Sequence, residues 1–355
     1  MLFIPTILLL QTQLLPLNHK TMPPEATDFT FVALGDNRPA GAGLPPTHTY
    51  RELLDEVSVI GPAFVISSGD LYYGNEETLD MYKQEEAWMK PLLEGLPCPF
   101  FNAPGNHEIN NRDEFMAEYQ ATTGQLYGSF EYGGVRFVAV CTELPGPKAH
   151  VDGAELDWLK GLLDTKKPTV IFQHHPIFKR PSNPDAKDEA QVADGDVLHK
   201  LYVAGGAQMV VEGHDHIYDQ QTVDGVNYTI AGGAGAPLDG QPKDGGYFHF
   251  LLVHVKDGQI TTTPIPLGTL EVVSRGDGMS TAANYADTDL PLRNLRIAST
   301  FEPKSATASY STKKGKSTEV QVQILKVEKS GSGFVASVGL LLPKHRATTV
   351  KLGQQ

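Results

Sequence analysis

Two periodicities run along this chain, and the changes between them mark its elements. Short apolar runs read as buried strands at Phe29–Leu34, Ala63–Ile66, Pro99–Ala103, Thr169–Phe172 and Gln208–Val211. Between and after them, apolar residues at helical spacing predict helices over Tyr50–Ile60, Thr78–Leu93, Ala154–Leu163 and Val192–Val203. Gly133-Gly134, Asp224-Gly225 and Asp257-Gly258, each flanked by strand-like runs, predict tight connections. Strands separated by helices pair in parallel and bring their carboxyl ends to one rim of a sheet, where residues distant in sequence can meet.

The five runs share an ending: a glycine or small polar step, then a side chain able to bind a metal. They lead into Gly35-Asp36-Asn37-Arg38, Gly69-Asp70-Leu71-Tyr72-Tyr73, Gly105-Asn106-His107-Glu108, His174-His175-Pro176 and Gly213-His214-Asp215-His216. One such ending is a turn; five in order point to a shared site. The candidate ligands are Asp36, Asp70, Tyr73, Asn106, His174, His214 and His216. His174 is chosen over His175 because it stands two residues before Pro176, leaving His175 to support the loop. Oxygen and imidazole donors without thiolate suit iron, manganese or zinc. Seven donors are too many for one tetrahedral ion but suit two ions that share a bridge, and Asp70 is the natural bridge. A pair of ions about 3.5–4 Å apart is the arrangement that supports in-line displacement at phosphorus.

Boundaries come next. A catalytic region is expected over 27–272, a polar Gly/Asp-rich linker over 273–290 and a small β-rich region over 291–355. The stretches 110–128 and 177–196 are expected to be loops that set the substrate. Net charge is −13, unevenly spread: from Leu292 onward 11 Lys+Arg face 3 Asp+Glu, whereas the rest of the chain carries −21. An acidic body argues against nucleic-acid binding. The basic C-terminal region leaves open a contact with a cell envelope. Residues 1–17 hold no charged side chain, so 1–20 is read as a signal peptide and the protein as secreted or periplasmic; a retained membrane anchor is the lesser reading. Cys98 and Cys141 form no zinc-like pair, and the oligomeric state is not legible.

The ordered set Gly-Asp, Gly-Asp-x-x-Tyr, Gly-Asn-His-Glu, His-x-Pro and Gly-His-x-His resembles the calcineurin-like metallophosphoesterase superfamily over about residues 29 to 265. Tyr73, three residues after Asp70, is similar to the purple acid phosphatase branch. The resemblance implies an α/β fold, a four-layer αββα sandwich, here with a small C-terminal β appendage. It implies Asp36, Asp70, Tyr73 and His216 around one metal, and Asp70, Asn106, His174 and His214 around a second, as iron with iron, zinc or manganese. It implies phosphate-ester hydrolysis by in-line attack of a bridging hydroxide, with His107 holding the phosphate or protonating the leaving group. In one place the chain departs from the superfamily pattern: the common Asp-x-His of the first motif is Asp36-Asn37-Arg38 here. Either Tyr73 replaces that histidine, the favoured reading, or the first site is weaker. Arg38 is a candidate phosphate contact and an equally good half of a structural ion pair. The expected activity is that of a phosphomonoesterase. The alternatives are a diesterase or a nucleotide or phospholipid-headgroup hydrolase, and an inactive metal-retaining envelope protein.

Overall fold

Strand β1 (Asp28–Leu34) lies at the middle of the first sheet, and its burial is nearly complete on both faces. The computed structural model describes residues 13–355 apart from 76, 110, 147, 148, 181–190 and 313–314. Helix α1 (His48–Ile60) follows β1, and β2 (Val65–Ser67), α2 (Leu79–Gly95) and β3 (Phe100–Asn102) come after it. A helical turn α3 (Asn106–Ile109) and helix α4 (Asp113–Thr123) precede the hairpin β4 (Gly128–Tyr132) and β5 (Val135–Ala139). Helix α5 (Gly153–Leu163), β6 (Thr169–Phe172), α6 (Gly195–Gly205) and β7 (Ala207–Glu212) continue the alternation. Then come β8 (Tyr218–Val223), β9 (Val226–Ala231), β10 (His249–Lys256) and β11 (Gln259–Pro266).

These strands make two sheets, ordered β11-β10-β1-β2-β3 and β4-β5-β6-β7-β9-β8. In the first, β1, β2 and β3 are parallel, with Ala33 opposite Ile66 and Ile66 opposite Phe101. In the second, β5, β6, β7 and β9 are parallel. The sheets pack face to face through alternate residues: Phe29, Phe31, Phe64, Phe101 and Val253 on one side, Phe137, Val170, Phe172 and Val211 on the other. Phe31 and Phe64 meet Phe137 edge-on at 5.3 and 4.9 Å between centroids. Each such ring contributes about 1.5–3 kcal/mol by burial. The opposite face of the second sheet, with Val138, Ile171 and Val210, is covered by Leu159 and Leu163 of α5 and Leu198 and Tyr202 of α6. Helices α2 and α4 meet through Tyr82 and Phe115, at 4.7 Å. This is the expected α/β sandwich.

The chain forms two compact units, one of residues up to Arg51 and Ala63–Pro264, the other of Glu52–Pro62 and Ile265–Gln355. The second unit holds β12 (Leu270–Gly276), β13 (Met279–Asn284), β14 (Leu290–Ser299), β15 (Ser305–Ser311), β16 (Ser317–Val320), β17 (Val322–Ser330), β18 (Gly333–Leu342) and β19 (Arg346–Gly353). They form sheets β12-β13-β19-β15-β16 and β14-β18-β17. Leu292, Leu295, Ile297, Val338 and Leu342 are buried. The C-terminal half of α1 belongs to this unit: Asn294 Nδ2 donates to the Ser58 carbonyl at 2.9 Å, and the Gly268 amide to Glu56 Oε1 at 2.7 Å.

Three expectations are corrected. Residues 273–290 are not a linker: most of them lie in β12 and β13, paired antiparallel, and β13 pairs in turn with β19. Their polar composition suits a sheet whose outward positions face solvent, and the small residues Ala282 and Ala283 fill the buried ones. The stretch 110–128 is not all loop, because it contains α4, whose Phe115 and Tyr119 are buried. The boundary expected at residue 20 falls within packed chain, because residues 13–20 are held against the fold. Leu14 is buried in the main core, its amide donates to the Ser129 carbonyl at 3.0 Å, and Asn18 Nδ2 donates to the Leu93 and Cys98 carbonyls, each at 2.9 Å. The rest of the expected signal, residues 1–12, lies outside the described residues, as does half of the expected substrate loop, 181–190. Among the described residues no helix is long and apolar enough to cross a membrane.

Candidate metal centre

The five donor-bearing exits follow β1, β2, β3, β6 and β7, and the two sheets bring them together at one end. Backbone bonds lace the exits to each other: the Asp36 amide donates to the Gly69 carbonyl at 2.9 Å, and the Gly213 amide to the His174 carbonyl at 2.9 Å. Asp36, Asp70 and His214 have φ of 59°, 58° and 69°. Left-handed backbone is uncommon outside glycine, and it clusters where surrounding structure fixes a functional group. Two glycines leave the space these side chains need. A Cβ on Gly105 would stand 2.2 Å from Asp70 Oδ1, and one on Gly213 would stand 2.6 Å from Asp36 Oδ2.

The donors form two adjoining groups. Asp36, Asp70 and His216 lie together on one side, and His174 and His214 lie with His175 on the other. On the first side, His216 Nε2 is 3.7 Å from Asp36 Oδ1, and its Nδ1 faces the Pro237 carbonyl at 2.5 Å. Asp36 is fully buried; its Oδ1 accepts from the His214 amide at 3.0 Å, and its Oδ2 has no hydrogen-bond partner. On the second side, Asn106 Oδ1 lies 2.9 Å from His174 Nε2 and 3.0 Å from His214 Nδ1. His174 Nε2 is also 3.3 Å from Asp70 Oδ1, and its Nδ1 is anchored to the Ser68 carbonyl at 2.8 Å. The Ser68 and Pro237 carbonyls take the Nδ1–H of His174 and His216, leaving their Nε2 lone pairs turned inward. That is the second-layer support common to metal-binding histidines.

The electrostatics agree. Burial, with Asp70 nearby, holds the Asp36 carboxyl well above its ordinary range. Burial works against ionisation of Asp70 as well, but His107, His174 and Arg38 around it pull it well below the ordinary range. Burial pushes His174, His214 and His216 down; for His214 the neighbouring imidazoles of His175 and His174 add to this. Neutral imidazoles are the ligating form. A buried, unpartnered carboxylate oxygen, crowded carboxylates and inward lone pairs fit a pair of cations, with Asp70 between the two groups.

Tyr73 and Arg38 stand beside this cluster. The Arg38 guanidinium carbon is 5.5 Å from the Tyr73 ring centroid, and its Nε is 3.7 Å from Asp70 Oδ2. The Tyr73 ring is 5.6 Å from the His107 ring. His107 is buried; its Nδ1 bonds the Tyr73 carbonyl, and its Nε2 faces Asp70 Oδ2 at 3.7 Å and Asn75 Nδ2 at 3.4 Å.

Glu108 is not among the residues the motifs single out. The side chain is fully buried and accepts from three backbone amides: Asp70 at 2.9 Å, Gly105 at 2.6 Å and Leu71. It thereby fixes the exit of β2 against the exit of β3. Burial and the Asp70 charge still push its carboxyl up to about 8. Its place in Gly-Asn-His-Glu was the only local signal. Glu143 had none. Its Oε1 lies 2.5 Å from His175 Nδ1, and the His175 ring stacks on that of His214 at 4.0 Å, so His175 braces a ligand as well as a loop.

Residues 29–218, just over half of the chain, match the family model of the calcineurin-like phosphoesterases. The bovine (Bos taurus) serine/threonine-protein phosphatase CPPED1 is 25% identical over 191 residues, which make up 50% of this chain and 60% of that protein. This chain therefore matches less than two thirds of that relative's length. Among solved structures, PhoD aligns over 78% of this chain and 68% of its own, with 12% identity and a TM-score of 0.51, a likeness of fold. A dimetal phosphatase from Danio rerio aligns over 73% of this chain and 99% of its own at 14% identity, with a TM-score of 0.49. Strand exits that gather carboxylates and imidazoles at one rim, and a family match that spans all five of them up to Tyr218, make the same assignment: the chain belongs to the calcineurin-like phosphoesterases, metal-dependent hydrolases of phosphoesters.

Proposed function

We propose that the protein hydrolyses phosphomonoesters at a two-metal centre, on the pattern of the purple acid phosphatases. The observation that carries this reading is the convergence of Asp36, Asp70 and His216 beside His174, His214 and Asn106, with Asp70 in reach of both groups. Two cations held by these residues would supply Lewis acidity for the solvent nucleophile and offset charge on the phosphoryl oxygens. The chain's own residues do the rest. Arg38 presents a guanidinium beside Asp70 and can clamp two phosphoryl oxygens. His107, its Nδ1 tied to the Tyr73 carbonyl, keeps Nε2 as the one ring nitrogen able to carry a proton to the leaving oxygen. Glu108 holds the amides of Asp70 and Gly105, so the carboxylate and the Asn106 side chain stay in register.

Tyr73 distinguishes the branch. A phenolate ligand suits iron(III), and its ring already lies against Arg38 and His107. The test combines metal analysis of the purified protein with rates on an aryl monoester and an aryl diester. A visible absorption band that disappears in Tyr73→Phe, together with preference for the monoester, supports the reading. A colourless enzyme loaded with manganese or zinc that prefers the diester overturns it in favour of a diesterase.

A further inference from the structure

Asp215 stands between two proposed ligands, His214 and His216, and is itself a carboxylate with 8% of its surface exposed. Nothing in the ligand pattern uses it. A buried acid one residue from each ligand is well placed to intrude on a cation site, or, if unpaired, to carry a large desolvation cost. The structure gives it a partner from another strand exit. Arg180, also buried, donates from Nη2 to Asp215 Oδ1 at 2.7 Å, and its Nε lies 2.7 Å from Oδ2. Both carboxylate oxygens are thereby turned towards one guanidinium.

We propose that Arg180 is a positioning residue for the metal centre: it holds the Gly213–His216 turn in ligating shape and keeps the Asp215 carboxylate out of the ligand set. The inference rests on the two-metal reading above. Among the described residues several links join the exits of β6 and β7, and the Arg180–Asp215 pair lies farthest along the β6 exit. Nearer the strands are the Gly213 amide on the His174 carbonyl at 2.9 Å and the Ile177 amide on Glu212 Oε1 at 2.9 Å. The two inner links align the strand ends but do not reach His216. The turn itself is tight: the Asp215 amide donates to the Gly213 carbonyl at 2.8 Å, and a Cβ on Gly232 would stand 2.0 Å from the Asp215 carbonyl oxygen. With the backbone pressed against Gly232 and the side chain held by Arg180, the turn keeps His214 towards Asn106 and His216 towards Asp36. Arg180 touches neither imidazole in this account; it acts through Asp215.

The experiment is calorimetric titration of metal-stripped protein with manganese(II) and zinc(II), for the wild type, Arg180→Met, Arg180→Lys, Asp215→Asn and Arg180→Met/Asp215→Asn. Outer residues that orient metal ligands are worth about 10–100-fold in metal affinity. Arg180→Met should weaken the tighter of the two binding events by that factor, and Arg180→Lys, which keeps the charge but not the two-point grip, by less. The double variant should recover part of the loss, because the unpaired acid is gone. A purely structural arginine would lower the melting temperature of the metal-free protein and leave the affinity of the folded fraction unchanged; that result overturns the proposal. Where Arg180→Met does not fold, Arg180→Lys against Asp215→Asn gives the same comparison. Absence of metal binding in the wild type would instead sink the two-metal reading itself, so the two failures are told apart.

Discussion

Left-handed backbone serves opposite ends at the strand exits of the first unit and at a hairpin of the second, where it does what it also does at the exposed turns Asp224 and Asp257. In the first, Asp36 and Asp70 adopt it while almost wholly buried, and His214 does so half-buried, each within 4 Å of another proposed ligand. In the second, His345 is the non-glycine residue with positive φ among the described residues. It sits in the connection from β18 to β19, its side chain 53% exposed and paired with an exposed Asp287 at 3.0 Å. The same backbone state costs about 1–2 kcal/mol in either place. At the hairpin it only turns the chain, and solvent can satisfy whatever it exposes. At the strand exits it aims a donor that is largely shielded from solvent, and the surrounding packing has to hold it there. Where strain is buried and surrounded by polar groups it marks chemistry; where it is exposed it marks a turn.

That contrast can be broken by experiment. The largest effect is expected at Asp70. Asp70→Asn keeps the shape but removes the charge shared by both groups, so turnover should drop by more than about a hundredfold, beyond the range for residues one layer out. A folded Asp70→Asn protein with near-normal rates on an aryl phosphate would remove the bridging role. Next is Gly105→Ala. The added methyl would meet Asp70 Oδ1 at 2.2 Å and the Asp70 amide at 2.6 Å, so the β2 and β3 exits must part. Overpacking of this kind costs about 1–3 kcal/mol, and metal affinity should fall together with the melting temperature. A variant that loses stability but keeps its metal affinity would show that the site tolerates the shift.

His249 gives a pH test on a buried imidazole that is not among the proposed ligands. Burial pushes it down to about 4, against the help of its bond to the Tyr247 carbonyl. Its unfolded value is about 6.5. Because the unfolded chain takes up the proton first, stability is flat above about pH 6.5 and falls as pH drops towards 4. The loss is about 1.4 kcal/mol per pH unit, roughly 3 kcal/mol in all. Urea unfolding between pH 4 and 7 should show this slope flattened in His249→Leu; parallel curves would assign the acid loss to other groups. The smallest effect belongs to the second unit. His345→Gly relieves the left-handed strain at the cost of an exposed ion pair, so stability should move by no more than about 1 kcal/mol. Phosphoesterase activity should not change, and a measurable loss of it would erase the distinction between the two kinds of turn.

Much of the site was legible before the fold. Asp36, Asp70, Asn106, His174, His214 and His216 each end an apolar run within a few residues, and a run of that kind is written in adjacent positions. The partners that hold them were not. Glu108 grips an amide 38 positions away, and Arg180 reaches Asp215 across 35, distances over which no periodicity speaks. The C-terminal strands were missed for a related reason. Residues 273–284 are mostly polar or small, with Gly276, Asp277 and Gly278 at their middle, a composition that resembles a linker until β19, more than 60 residues later, supplies the pairing.

The sequence by itself determined which side chains are available, in what order, and that strand ends would present them, because local patterning and donor chemistry are properties of neighbouring residues. Only the tertiary structure decided which imidazole nitrogens face inward, which buried side chains hold the strand exits together, and that residues 13–20 are built into the fold. Those outcomes depend on atoms brought together from distant strands, where burial makes each unpaired polar group expensive and so fixes its partner.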